Sequence, residues 1–527
     1  MTRVSSVRKA FFDVCRQAGM TTWFGNPGST ELRMLRDWPE DFRYVLAVQE
    51  ASAVGTAAGY AIATGRAQLV SLHSAGGVGH ALGAVFNAYR DRVPLVVVAG
   101  QQTRAMLPTR PFLSADEPAT FPRPYVKWSH QPETAAAVPG ALAEAYRIAM
   151  LPPRGPVFLS IPEDDWDAIA DPVQQRELHA GFGADPAALR EVADALDAAR
   201  APAIVAGPGV DEDDAWAETV ALAETTRAAV WAAPMPSRAG FPEDHPLFQG
   251  YLPPVRSGIA GLLAGHDVVV VLGAPVFTYH VHTEGPFLNE SSRLFHLDCD
   301  PAAAARAAVG TSVLTTVRAG VAELARLVKP SGRDDPPPFL RPAAPEPADP
   351  LGAPAVLGAL QRALPPEVVL VEEAPSHKDA LHELIPVRRP RGYVSTGSGA
   401  LGWGLPVAVG RALAGDRVVC VVGDGSTLYC VQSLWTAAQH RVPLTVVVLN
   451  NRKYEAVAAL GRRIGVPSVP GTDLAALDFT ALARGFGCAS GRVTRAADLA
   501  GALAQALTHE GPYLLDVAVE TTSAPLY

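Results

Sequence analysis

The sequence predicts an α/β protein built from open parallel sheets, in three blocks. Apolar runs of about five residues recur, among them Val268 to Leu272, Val418 to Val422 and Leu444 to Leu449, each ended by Gly or Asn. Such uniform runs suit strands buried on both faces. The stretches between them, such as Leu428, Val431, Leu434, Trp435 and Ala438, repeat at helical spacing, which gives βα units. Finally, residues 329–350 hold eight prolines in 22 positions, too few backbone donors for a sheet interior. A softer polar break runs from Asp171 to Asp185. Domains are therefore expected at 1–180, 181–330 and 351–527, with a linker at 331–350, and 527 residues at roughly 150 per domain agree.

Taken in order, the first twenty residues carry Arg3, Arg8, Lys9, Asp13 and Arg16 among apolar positions. They read as an amphipathic helix rather than a signal peptide. Three strands follow, and each delivers polar groups at its C-terminal end. Thr22 to Phe24 leads into Asn26 to Ser29, Tyr44 to Val48 into Glu50, and Gln68 to Leu72 into His73. That edge of an open parallel sheet is where ligands bind. Glu50 lies between its strand and the small-residue helix ASAVGTAAGYAIATG, so its carboxyl is desolvated and suited to sharing a proton. In the middle block, His280 sits on a loop after Val268 to Leu272, and Gly207-Pro208-Gly209 falls short of a dinucleotide fingerprint.

The C-terminal block holds the most informative motif. Val418 to Val422 runs into Gly423-Asp424-Gly425-Ser426, and Leu444 to Leu449 ends at Asn450-Asn451. Asp424 and Asn451 are 27 positions apart, the length of a strand–helix–strand unit whose two strand ends share one edge. Two hard oxygen donors side by side suit Mg²⁺ or Ca²⁺. Glycines permit close backbone approach, and a helix start favours phosphate, so a metal-bridged diphosphate is the expected occupant.

Composition excludes other classes. Lys and Arg number 44 against 53 Asp and Glu, a net charge of −9, so a nucleic-acid partner is not expected. Cys15, Cys299, Cys420, Cys430 and Cys488 are scattered without a C-x-x-C pair, which argues against a disulfide framework or zinc site and for a reducing compartment. No run approaches the roughly 20 apolar residues a bilayer requires. A soluble, cytoplasmic protein is expected.

The G-D-G-x … N-N spacing resembles the signature of thiamin-diphosphate-dependent enzymes. Over essentially the whole chain the sequence is similar to the benzoylformate decarboxylase family of 2-oxo acid decarboxylases. The resemblance rests on FGNPGSTEL (24–32), FRYVLAVQE (42–50), LHSAGG (72–77), AGQQTRAM (99–106), GHDVVVVLGAPVFTYH (265–280) and SLWTAAQ (433–439). It implies an N-terminal pyrimidine-binding domain, a middle domain and a C-terminal diphosphate-binding domain. It also implies a homotetramer whose active sites are each shared by two subunits, and release of CO₂ and an aldehyde from a 2-oxo acid.

The resemblance further implies roles. Glu50 hydrogen-bonds and activates the coenzyme's aminopyrimidine. His73 and His280 move protons, and Ser29 binds the substrate carboxylate. Asn26, Pro27, Gly28 and Tyr454 contact the coenzyme, Leu401 wedges it into a bent form, and Ser376, Gly425 and Ser426 hold its diphosphate. Asp424, Asn451 and the Lys453 carbonyl bind the metal, with the Lys453 ammonium turned away. His80 and His282, both nearby, receive no role. The substrate pocket comprises Ser29, Phe112, Leu113, Ser395, Ala456 and Leu460. Here the chain departs from the family, with Ser395 and Leu460 in place of two phenylalanines, Phe112 and Leu113 in place of two leucines, and Pro375 in place of a threonine. Lost rings add volume and a hydroxyl, pointing to a substrate bulkier or more polar at its far end than benzoylformate. A carboligase using the same coenzyme is the alternative. An FAD-dependent acetolactate-synthase-like enzyme and a non-catalytic binding protein fit less well, the first for want of a fingerprint, the second because Glu50, Asp424 and Asn451 are intact.

Overall fold

The computed structural model describes residues 5–474 and 477–521; residues 1–4 of the first expected domain and 475–476 and 522–527 of the last lie outside the described residues. Each of the three domains is organised on a six-stranded parallel sheet. The N-terminal region contributes β1 (Ser5–Ser6), β2 (Thr22–Gly25), β3 (Arg43–Leu46), β4 (Gln68–Leu72), β5 (Leu95–Gln101), β6 (Ser129–His130), β7 (Pro156–Pro162) and β8 (Ile169–Ala170). Six of these form a sheet in the order β3-β2-β4-β5-β7-β6, while β1 and β8 make a small antiparallel pair. The opening helix, Val7–Ala18, is capped by the Ser6 side chain and packs its apolar face inward.

The middle sheet, in the order β11-β10-β9-β12-β13-β14, uses β9 (Pro202–Ala206), β10 (Ala229–Ala232), β11 (Phe248–Tyr251), β12 (Val268–Leu272), β13 (Arg293–Asp298) and β14 (Thr311–Leu314). The C-terminal sheet runs β16-β15-β17-β18-β20-β19, from β15 (Val369–Glu373), β16 (Tyr393–Val394), β17 (Val418–Gly423), β18 (Leu444–Asn450), β19 (Ala489–Val493) and β20 (Tyr513–Ala518). All five residues of β12 and all seven of β18 are buried, as uniform apolar runs require.

Register places the polar strand ends together. Gly25 pairs with Leu46 and with Ser71, so the segments entering Asn26, Glu50 and His73 leave one edge side by side. Gly423 pairs with Leu449, which sets Asp424 beside the Asn450-Asn451 pair.

Two local expectations change. The β3 strand stops at Leu46, because Gln49 caps the next helix by accepting from the Ser52 N–H at 2.8 Å. Glu50 is thus the first residue of helix Glu50–Thr64. The helix expected after Ser426 is broken into Asp424–Tyr429 and Ser433–Gln439. The break turns the second piece so that the Ser433 hydroxyl meets Ser52 at 3.0 Å.

Contacts between domains are specific. Helix Glu50–Thr64 crosses helix Gly404–Leu413 at backbone distance, since a Cβ on Gly410 would lie 1.9 Å from the Thr56 carbonyl and one on Gly59 2.1 Å from that of Val407. Arg92 grips the buried Asp298 of the middle sheet through both oxygens, at 3.0 and 3.1 Å. The Pro-rich segment has neither helix nor strand but is strapped down. The Arg333 guanidinium donates to the carbonyls of Leu196 and Asp197 at the end of helix Pro186–Ala198, and Arg341 to those of His382, Glu383 and Glu243.

Candidate active site

The candidate residues fall into two clusters. The first lies at the edge of the N-terminal sheet. Asn26 donates through Nδ2 to Glu50 Oε1 at 3.1 Å, and His80 Nδ1 stands 3.3 Å from Glu50 Oε2. His80, without a role in the sequence reading, thus shares the Glu50 carboxylate. His73 Nδ1 lies 2.9 Å from Glu31 Oε2 and 3.1 Å from Thr30 Oγ1. Glu31 is buried and already accepts from the Gly28 and Gly100 N–H groups. A carboxylate only accepts, so neutral His73 carries its proton on Nδ1 and leaves Nε2 for proton exchange. Gly28 packs flat on this ring, since a Cβ there would lie 2.2 Å from His73 Cγ. Pro27 and Ser29 are exposed beside it, Ser29 opening the short turn Ser29–Glu31. The Leu113 carbonyl accepts from Ser74, next to His73, while Phe112 is 86% exposed.

The second cluster is a cleft at the edge of the C-terminal sheet, lined by Ser376, Leu401, Asp424, Gly425, Ser426, Asn451, Lys453, Tyr454 and Ala456. Asp424 accepts the Gly425 N–H at 2.7 Å and that of Lys453 at 3.3 Å. Burial raises its carboxyl pKa, against the pull of those amides. Asn451 Oδ1 accepts the Lys453 N–H at 3.1 Å, and the Lys453 ammonium reaches Glu455 at 3.7 Å. Asn450 is spent elsewhere, donating to Asp516 at 2.9 Å. Gly425 has no room for a side chain, since its Cβ would meet the Tyr454 ring at 2.3 Å. A bare-backbone turn between a carboxylate and an amide oxygen can hold a diphosphate through a hard cation. Glu373 secures the Leu401 loop, accepting the Gly402, Trp403 and Gly404 N–H groups. Burial outweighs these donors and pushes its carboxyl up to about 7. His377 borders the same cleft, buried and with its pKa lowered by burial to about 4.

Behind Pro375, Leu401 and Ala456, which line both spaces, opens a cavity of about 370 Å³ that also includes His280, Ser395 and Leu460. Its volume lies within the range usual for small-molecule sites. Lys378 and Glu372 line it as well, unremarked in the sequence because no motif marks them.

The chain does not close the two clusters into one site. Asn26, Glu50 and His73 line neither space. His73 precedes helix Ser74–Arg90, and Asn87 near that helix's far end donates to the Ala400 carbonyl beside Leu401. Fourteen positions at about 1.5 Å each put His73 roughly 20 Å from Asn87 along the helix. Phe112 and Leu113 stay with the first cluster, away from Ser395, Ala456 and Leu460. The missed supports, Glu31 and Thr30, lie within FGNPGSTEL, where an acid three residues after Gly28 reads as an ordinary helix-start residue.

All three sheets match known domains. Residues 5–119 match the thiamine pyrophosphate enzyme N-terminal TPP binding domain, 189–324 the central domain and 374–517 the C-terminal TPP binding domain. Thiamin diphosphate is accordingly the cofactor of this class. The chain is 40% identical to benzoylformate decarboxylase of Pseudomonas aeruginosa, with 98% of this chain and 99% of that one covered. Among solved structures, benzoylformate decarboxylase from Polynucleobacter necessarius superposes with a TM-score of 0.97 at 38% identity, covering 99% of this chain and 100% of that one. A thiamine diphosphate-dependent 4-hydroxybenzoylformate decarboxylase from Rhodococcus jostii gives 0.96 at 38% identity, with the same coverage. The chain belongs to the thiamin-diphosphate-dependent 2-oxo acid decarboxylases, in the benzoylformate decarboxylase family. Among the described residues no helix is long and apolar enough to cross a membrane.

Proposed function

We propose that this enzyme converts an aryl 2-oxo acid to an aldehyde and CO₂ without net oxidation, as a homotetramer in which each site joins the first cluster of one copy to the second cluster of another. The observation that carries this reading is that Asn26, Glu50 and His73 line neither the diphosphate cleft nor the cavity behind it, so one chain holds two half-sites and neither suffices alone. Free, buried cysteines support a cytoplasmic home.

When bound, thiamin diphosphate supplies the sink for the electron pair left behind as CO₂ departs. Asp424, Asn451 and the Lys453 carbonyl would hold Mg²⁺ or Ca²⁺, which would supply positive charge for the diphosphate. Gly425 and Ser426 offer backbone N–H groups and Ser376 its hydroxyl. Leu401, on the loop fixed by Glu373, would pack against the bound coenzyme. Glu50, oriented by Asn26, would hold or release a proton at its carboxyl for the coenzyme's pyrimidine end. Ser29 orients the substrate carboxylate, while His73 Nε2 and His280 exchange protons at the reacting carbon and oxygen. Phe112, Leu113, Ser395, Ala456 and Leu460 surround the substrate's remaining bulk.

The test is Glu50→Gln, assayed for CO₂ release from a panel of aryl, arylalkyl and aliphatic 2-oxo acids with thiamin diphosphate and Mg²⁺. The variant is expected to bind the coenzyme and lose at least about 100-fold in kcat. Turnover equal to wild type would refute the activation scheme.

A further inference from the structure

Ser395, Lys378 and Glu372 meet on the part of the 370 Å³ cavity that lies away from the diphosphate cleft, since none of them lines that cleft. Ser395 and Glu372 are each 2% exposed and Lys378 9%, so this is an interior polar cluster rather than a solvated rim. Its hydrogen bonding runs in one direction. Ser395 donates its single proton to Glu372 Oε2 at 2.7 Å. That oxygen also accepts from the Tyr393 hydroxyl at 3.2 Å, and Glu372 Oε1 accepts the Ala374 N–H at 2.6 Å. Glu372 is therefore supplied with donors. Lys378 Nζ reaches Ser395 Oγ only at 3.3 Å and Glu372 only at 3.8 Å, which leaves an ammonium with three protons short of good acceptors. Ser395 Oγ, its proton committed and one lone pair facing Lys378, keeps a second lone pair.

We propose that Lys378 and Ser395 form a specificity subsite for a hydroxyl group on the ring of the 2-oxo acid, remote from its reacting carbonyl. The hydroxyl oxygen accepts from Lys378 Nζ and its proton goes to Ser395 Oγ. A carboxylate would have no proton for Ser395 and would face the Glu372 charge behind it. An ammonium would face Lys378. A methoxy group could accept but not donate. The subsite rests on the decarboxylase reading and deepens it by naming the substrate class.

The experiment compares kcat/KM of the holoenzyme for benzoylformate, its three ring-hydroxy isomers and their methoxy counterparts, then repeats it with Ser395→Ala and Lys378→Met. Wild type is expected to prefer at least one hydroxy isomer over both the unsubstituted acid and the matching methoxy acid by about tenfold or more, mainly through KM. Either variant should cut that ratio by about tenfold. Ser395→Ala, which removes one oxygen, provides the answer if Lys378→Met fails to fold. Equal use of hydroxy and unsubstituted acids by wild type, or an unchanged ratio in Ser395→Ala, overturns the subsite while leaving the decarboxylase reading intact. Coenzyme binding without CO₂ release from any acid would overturn both.

Discussion

Substitution Gly28→Ala tests the first cluster with a single methyl group. The backbone at Gly28 is extended, with φ −127°, so alanine brings no conformational strain. Its Cβ would lie 2.2 Å from His73 Cγ and Nδ1, against an ordinary carbon contact of about 3.5 Å. The ring must retreat by more than about 1 Å, which breaks its 2.9 Å contact with Glu31. A misplacement of that size costs on the order of 100-fold in the chemical step. The site is partly exposed, so the stability cost should stay below about 2 kcal/mol. The measurement is kcat at saturating 2-oxo acid, together with thermal unfolding and the coenzyme dissociation constant. Turnover within threefold of wild type would refute the role given to His73. So would an activity loss that merely tracks a collapse in unfolding temperature.

Other outcomes are equally direct. Dialysis against a chelator should abolish CO₂ release and Mg²⁺ or Ca²⁺ with thiamin diphosphate restore it, whereas Asp424→Ala should bind the coenzyme at least about tenfold more weakly, read by titration. Gly410→Ala places a methyl 1.9 Å from a backbone carbonyl that cannot step aside, and should destabilise by about 3 kcal/mol or more; an unfolding temperature within 2 °C of wild type, on the order of experimental scatter, would contradict the crossing. Burial alone would raise the Asp298 pKa, but Arg92 and neighbouring donors hold it well below the usual carboxylate range. Its stabilisation is therefore present at neutral pH and lost as the medium falls below about pH 4, so Asp298→Asn should cost about 3 kcal/mol at pH 7 and progressively less under acid. A cost independent of pH from 7 to about 3 would remove the ion pair from the account.

Much of this was legible because strands announce themselves. Val268 to Leu272 needs no partner to read as a buried strand, and the 27-residue interval from Asp424 to Asn451 carries its own geometry. Asn26, Glu50 and His73 could be placed on one edge because each follows an apolar run, and the register bears out that shared edge. What escaped depends on distant segments. Glu31 looks like a helix-start acid until β5 brings the Gly100 amide to it. Lys378, six positions beyond Glu372 and at the start of a short helix, carries no motif, yet it is only 9% exposed and lines the cavity beside Ser395 and Glu372. His80 sits two turns along a helix from its strand end, and only the folded helix swings it to Glu50. The break at 430–432 brings Ser433 to Ser52 of the N-terminal domain, a contact invisible to any local window.

The crossing of Glu50–Thr64 over Gly404–Leu413 changes how its bland composition should be understood. ASAVGTAAGYAIATG looks like a stretch chosen for nothing more than helix-forming ease. The permitted alphabet there is dictated by another domain's backbone, which leaves no depth for a side chain at Gly59 or Gly410. Engineers wishing to reshape the reaction chamber have latitude along its lining, but this seam must be inherited unchanged.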